Sequence, residues 1–168
     1  MNFSIQPASS NQIPMALDLL KSAAQNLQLR KINQWSYWLN PPQEKIDWVN
    51  AGFQNKEFYF IYVDTQLAGM FRLLENDELY WGKQEEEARY IHSLVIKKEF
   101  TGMHIGKKVI EQVIKEMKQN QIFILRLDCD SSNQGLCSYY EKQGFVKVGE
   151  KQMPLSLNNL YELRTNRF

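Results

Sequence analysis

The chain is poor in the residues that most often announce a special chemistry. In 168 residues it has two cysteines and two histidines. Cys129 and Cys137 are too far apart for a CxxC pair, and with so few histidines no metal-ligand pattern emerges. Buried free thiols are the plainer reading of both cysteines. Charge of one sign is also lacking. Lys and Arg number 20 against 19 Asp and Glu, a formal net charge of +1, whereas a nucleic-acid-binding domain is expected to be clearly basic. No run approaches the roughly 18 consecutive apolar residues of a membrane span. Met1 to Pro7 lacks the basic segment and apolar stretch of a signal peptide. No repeat or low-complexity tract is present. Together these absences point away from nucleic acid, membrane and metal, and toward a reducing cytoplasm.

What remains is an ordinary globular composition, 43% hydrophobic and 23% charged, and a length expected of one domain spanning residues 1–168. Aromatic residues reach 12%, with four Trp and eight Tyr, enough to line a surface as well as a core.

Patterning gives an element order of βααβββαβαββ. Phe3 to Gln6 alternates as a short strand. Ser9 or Ser10 caps a helix running through Leu17, Leu20 and Leu27. Asn40-Pro41-Pro42 breaks the chain before a second helix containing Ile46, Trp48 and Val49. Phe58 to Val63 and Leu67 to Leu74 read as a hairpin around Asp64-Thr65-Gln66. Glu75 to Glu87 is a polar loop holding Tyr80 and Trp81. Tyr90 to Ile96 is a strong strand, followed after a glycine loop by a helix from about His104 to Asn120, apolar along one side. A strand over Ile122 to Leu127 and a helix from Ser132 or Asn133 to Gly144 come next. Phe145 to Val148 is a strand, and Leu160 to Leu163 a candidate last one. Strand–helix–strand alternation in the second half calls for a parallel or mixed sheet, and the hairpin adds antiparallel strands.

Two patterns carry chemistry. The first is the strand Ile91-His92-Ser93-Leu94-Val95-Ile96 followed by Thr101-Gly102-Met103-His104-Ile105-Gly106-Lys107-Lys108. A helix N-terminus offers unpaired N–H groups and positive dipole charge to a phosphate. Two glycines permit close backbone approach, and the lysine pair adds charge. The spacing fits neither a Walker loop nor the dinucleotide GxGxxG, so two loop glycines and a solvated lysine pair compete with the phosphate reading. The second pattern, Asn133 through Phe145, sets Asn133 and Tyr140 seven residues apart. On a helix they share a face roughly 10 Å apart, within reach of one elongated ligand. A partly buried tyrosine with its hydroxyl satisfied is the structural alternative.

These segments resemble the signatures of the GNAT superfamily of acyl-CoA-dependent N-acyltransferases: Arg/Gln-x-x-Gly-x-Gly/Ala after a strand, then Asn, an aromatic pair and Gly-Phe. Here Thr101 stands for the Arg or Gln and His104 for the first Gly, while Asn133, Tyr139-Tyr140 and Gly144-Phe145 match the second signature. The resemblance implies an α/β (α+β) fold with a mixed, mostly antiparallel central sheet, a parallel splayed strand pair, and helices on both faces. It implies acetyl-CoA as co-substrate. Main-chain groups of Leu94, Val95 and Ile96 would meet the pantetheine arm. Gly102, Met103, His104, Ile105, Gly106 and Lys107 would cradle the pyrophosphate, with His104 able to donate to a phosphate oxygen. Asn133 would hydrogen-bond the pantetheine, and Tyr140 would protonate the departing thiolate.

The catalytic base stays open. His92 has an unperturbed pKa near 6.5 suited to proton transfer, and arylalkylamine N-acetyltransferases of the same superfamily carry a His at the matching position. A structural histidine held in the sheet is the alternative. Glu75 and Glu85-Glu86-Glu87 are rivals; the run reads as a solvated loop or as an attractor of cationic amines. Trp35, Tyr37, Trp38, Tyr80 and Trp81 lie where the family shapes its acceptor pocket. They would bind a cation face-on, or pack a helical lid onto the sheet. The expected reaction is acetyl transfer from acetyl-CoA to a primary amine of a small molecule or peptide by direct attack in a ternary complex, by a monomer or a homodimer. Alternatives are a non-catalytic acyl-CoA-binding regulatory module and an interaction subunit of a larger complex.

Overall fold

A computed structural model describes residues 1–166. The elements in chain order are β1 (Phe3–Pro7), α1 (Ile13–Leu29), α2 (Gln43–Gln54), β2 (Phe58–Val63), β3 (Gln66–Leu74), α3 (Glu78–Trp81), β4 (Arg89–Ile96), α4 (Ile105–Gln119), β5 (Ile124–Asp130), α5 (Gln134–Lys142), β6 (Val146–Met153) and β7 (Ser156–Arg164). Their strands form a sheet of order β1-β2-β3-β4-β5-β7-β6. It is mostly antiparallel, with β4 and β5 as the parallel pair. The mixed α/β class and the order of the long elements agree with the sequence reading.

Three local differences matter. The polar loop before β4 contains the short helix α3, started by Asp77, whose carboxylate accepts from the Tyr80 N–H. β5 continues to Asp130 instead of ending at Leu127, because Asp128 and Asp130 alternate with buried Cys129 in strand period. β6 and β7 are both longer than expected and join in a hairpin paired from Val146↔Glu162 to Met153↔Ser156.

The chain divides into two compact units. The first is Met1–Leu73 with Ser93–Gly106. Ala16, Leu19, Leu20 and Ala24 of α1 and Val49 and Phe53 of α2 share its core with Phe58, Phe60, Met70 and Val95. Arg72, buried, ties α2 to the hairpin. It donates to Glu57 at 2.6 and 2.8 Å and to the Trp48 carbonyl at 2.9 Å, with its guanidinium 4.0 Å from the Trp48 ring centroid. This unit also holds the end of β4 and the glycine loop. Ser93 has φ 52, a left-handed residue inside β4 just before Leu94.

The second unit is Leu74–His92 with Lys107 onward. Its parallel register runs Arg89↔Leu125, Tyr90↔Arg126, Ile91↔Leu127. A cluster of Leu74, Ala88, Tyr90 and Ile124 packs with Trp81. Arg126 is the polar centre beside it. Its Nε donates to Glu162 at 2.8 Å, its Nη1 to the Tyr90 hydroxyl at 2.8 Å, and its guanidinium lies 5.1 Å from the Trp81 ring centroid. Burial pulls the Arg126 pKa down, but the bonds to Glu162 and Tyr90 outweigh it and the net direction is upward. Arg126→Met is expected to cost about 2–3 kcal/mol, below the 3–5 kcal/mol typical of a broken buried pair, because Glu162 keeps Arg164 at 2.6 Å. Thermal denaturation measures this, and a loss under 1 kcal/mol would contradict the assignment.

Candidate active site

The second unit gathers a polar group that begins where the parallel ladder ends. Beyond Ile91↔Leu127 the next residues along the two strands are His92 and Asp128. His92 Nδ1 lies 3.5 Å from Asp128 Oδ1, and His92 Nε2 lies 2.6 Å from Asp77 Oδ2. The three side chains are 10%, 6% and 5% exposed, so these interactions act in a medium poorer in water than the surface. Tyr80, from the same turn that Asp77 starts, sets its ring 4.9 Å from the imidazole. Asp128 is fixed from its other oxygen, which accepts from Asn158 Nδ2 at 2.6 Å.

Among the described residues, Asp77, His92 and Asp128 also form a group whose ligand-type atoms lie within 4.8 Å of one another. A single ion takes one imidazole nitrogen. Here the two carboxylates sit against opposite nitrogens of the ring, an arrangement that serves proton holding better than shared coordination.

Tyr140 lies in the same unit, on α5. It is buried, with its ring 5.7 Å from Phe145, 6.3 Å from Tyr161 and 5.5 Å from Tyr139. Burial pushes the Tyr140 phenol well above its ordinary range, and the charges of Cys129, Tyr139 and Asp128 push the same way. The phenol therefore keeps its proton throughout the neutral range. Asn133 caps α5, accepting from the Leu136 N–H at 3.2 Å. Gly144 follows the helix at φ +92, as the sequence predicts for a terminating glycine. Cys129 and Cys137 face each other at 3.5 Å, both buried. Burial and the neighbouring Cys137 drive the Cys129 thiol far upward, which makes it a poor nucleophile.

The rival carboxylates are otherwise engaged. Glu75 is 76% exposed and pairs with Arg89 at 3.2 Å; Glu87 lies 3.6 Å from the same arginine. Glu86 pairs with Arg164 at 2.6 Å. The acidic run is a solvated, ion-paired segment, and Glu75 lacks the burial of the His92 group.

In the first unit, Val95 is buried while Leu94 and Ile96 are half-buried. Residues 101–104 are exposed and lead into α4. Gly102 has φ +84, and a Cβ there would meet nothing within 4 Å. His104, at φ 57, keeps the left-handed turn that a glycine would adopt more cheaply. The first-turn N–H groups of α4 have no partners within the helix. Lys107 is exposed, 3.8 Å from Glu111. An open glycine turn and a helix start suit an anionic group such as a pyrophosphate.

Asp77 and Asp128 are the site residues that sequence reasoning overlooked. Asp77 carried the signal of a helix cap inside an apparent loop. Asp128 would have emerged from extending the strand alternation past Leu127.

Comparison with known proteins identifies the fold and the family. The chain is 27% identical to an uncharacterized N-acetyltransferase, YesJ, of Bacillus subtilis (strain 168), over 85% of this chain and 81% of that protein. Its fold resembles the crystal structure of a GNAT-family acetyltransferase from Listeria monocytogenes 4b F2365, with TM-score 0.77 and 22% identity, covering 97% of this chain and 95% of that one. It also resembles the PaiA N-acetyltransferase of Thermoplasma acidophilum solved with coenzyme A, with TM-score 0.64 and 19% identity over 98% and 100% of the two chains. Residues 26–145 match the acetyltransferase (GNAT) family, and the chain belongs to that family.

Proposed function

We propose that this protein is an N-acetyltransferase that moves the acetyl group of acetyl-CoA, the family's co-substrate, to the primary amine of a small molecule by direct attack. The observation that carries the reading is the buried His92–Asp77 contact at 2.6 Å in the same unit as a buried, protonated Tyr140. A base and an acid are what amine acetylation requires. Alkylamines have a pKa near 10, so only about one in a thousand is neutral at pH 7. Acetyl-CoA supplies an activated acetyl group and a thiol leaving group. His92 removes the proton from the amine. Main-chain groups of Leu94, Val95 and Ile96 orient the pantetheine arm, and the 102–107 segment with Lys107 holds the pyrophosphate. Asn133 steadies the arm. Tyr140 donates a hydrogen bond to sulfur as charge develops there. Burial keeps the Tyr140 phenol protonated, so it is available to donate its proton to the departing thiolate. The inert Cys129 favours direct attack over an acetyl-cysteine route.

Thiol release from acetyl-CoA across a panel of polyamines, aminoglycosides, amino acids and peptides tests the proposal. Amine-dependent release supports it. A CoA-dependent thermal shift without release from any amine would favour an acyl-CoA-binding regulatory module.

A further inference from the structure

We infer that Asp77 and Asp128 are positioning residues that clamp His92 from opposite ring nitrogens and make Nδ1 its basic atom; this rests on the reading of His92 as the base. An ionised carboxylate only accepts hydrogen bonds. With Asp77 Oδ2 as the acceptor of the 2.6 Å contact, the ring proton belongs on Nε2 and the lone pair of the neutral ring on Nδ1. Asp77 is itself held, because its other oxygen accepts from the Tyr80 N–H at the start of α3. On the far side, Asp128 Oδ1 stands 3.5 Å from Nδ1. That is too long for a strong hydrogen bond but close enough to stabilise a proton arriving there. Asn158 holds the Asp128 carboxylate in that position at 2.6 Å, and Asn158 in turn accepts from Ser156 Oγ at 2.6 Å.

Among the described residues, the titratable groups against the imidazole include Asp77 and the Tyr80 phenol from α3, and Asp128 from β5. A histidine serving only to fill the sheet needs one acceptor. Two largely buried carboxylates about one ring are costly unless the ring spends part of its time protonated. In the proposed step an N–H bond of the acceptor ammonium breaks and its electron pair stays on the amine nitrogen. The proton forms a bond to Nδ1, giving an imidazolium between two carboxylates, and later passes to water.

The chain has only two histidines, so His104→Gln leaves His92 as the sole imidazole for nitrogen NMR. The neutral ring is expected as the Nε2–H tautomer. Asp77→Ser retains a helix-capping hydroxyl while removing the carboxylate. It is expected to lower the pH midpoint of the His92 ring by about one unit or more, and Asp128→Asn to lower it by a smaller amount. Both substitutions should reduce kcat about 10-fold or more with the KM for acetyl-CoA unchanged, and the acid limb of the pH–rate profile should move down with the NMR midpoint. An Nδ1–H tautomer, or midpoints unmoved in both variants, would overturn the inference. Failure of the unmutated protein to acetylate any amine would instead overturn the functional reading, because the NMR measurement needs no turnover.

Discussion

Tyr140→Phe is expected to lower kcat by about 100-fold or more, within the range of a lost acid catalyst, while CoA affinity changes less than about twofold. Phenylalanine preserves the ring that packs against Tyr139, Phe145 and Tyr161, so the fold and the α5 cap at Asn133 stay in place. What disappears is one hydroxyl. Steady-state kinetics with calorimetric CoA titration separates the two effects, and unchanged kcat would remove Tyr140 from the chemistry. The direction of its pKa also fixes a pH dependence. An acid acts only while protonated. With the phenol raised by burial, that condition holds below its folded pKa and is lost only as pH climbs through it. The rate should therefore show an acid limb from the base and no alkaline fall attributable to Tyr140 below about pH 10, the ordinary tyrosine value.

Gly69→Ala is expected to destabilise the first unit by about 3 kcal/mol, at the upper end of overpacking effects. A Cβ on Gly69 would lie 2.0 Å from the Val95 carbonyl oxygen and 3.0 Å from its carbon. Both are main-chain atoms, so no side-chain rotation relieves the clash. The Lys97 N–H donates to the neighbouring Ala68 carbonyl at 2.8 Å, which pins the strand ends that would have to part. At about 2–4 °C per kcal/mol for a chain of this size, the melting temperature should fall by about 6–12 °C. Because Val95 is proposed to meet the pantetheine arm, acetyl-CoA affinity should fall too. A melting temperature within a degree of the parent would show that the strands yield more easily than this contact implies.

The long elements were legible because each is written in its own period. α4 shows buried Ile105, Val109, Ile110, Val113 and Met117 at helical spacing. The β2 run Phe58 to Val63 is aromatic and β-branched throughout, as a buried strand is, and Gly144 closes α5. α3 was hidden because four residues cannot display a helical period; only its cap, Asp77, was visible. The end of β5 was hidden because Asp128 and Asp130 look like loop residues until Cys129 between them is seen to be buried. Those two local misreadings account for the incomplete site. His92, Tyr140, Asn133 and the glycine loop are proposed from residue type, spacing and the family resemblance. The groups that hold His92 come from a short helix and a strand extension, and nothing in a linear pattern joins residues 77, 92 and 128. The acidic run illustrates the reverse case. Its charge density draws the eye, yet its members pair with Arg89 and Arg164, while the two lone aspartates hold the imidazole.

In the proposed function this chain itself transfers an acetyl group from acetyl-CoA to an amine nitrogen. Incubation with acetyl-CoA carrying an isotopically labelled acetyl group and an amine that promotes thiol release, followed by mass spectrometry of the amine and the intact protein, tests it most directly. Label is expected on the amine nitrogen at a rate that falls about 100-fold in Tyr140→Phe, with none retained on Cys129 or Cys137. Label accumulating on a cysteine, or CoA bound with no label on the amine, would contradict it.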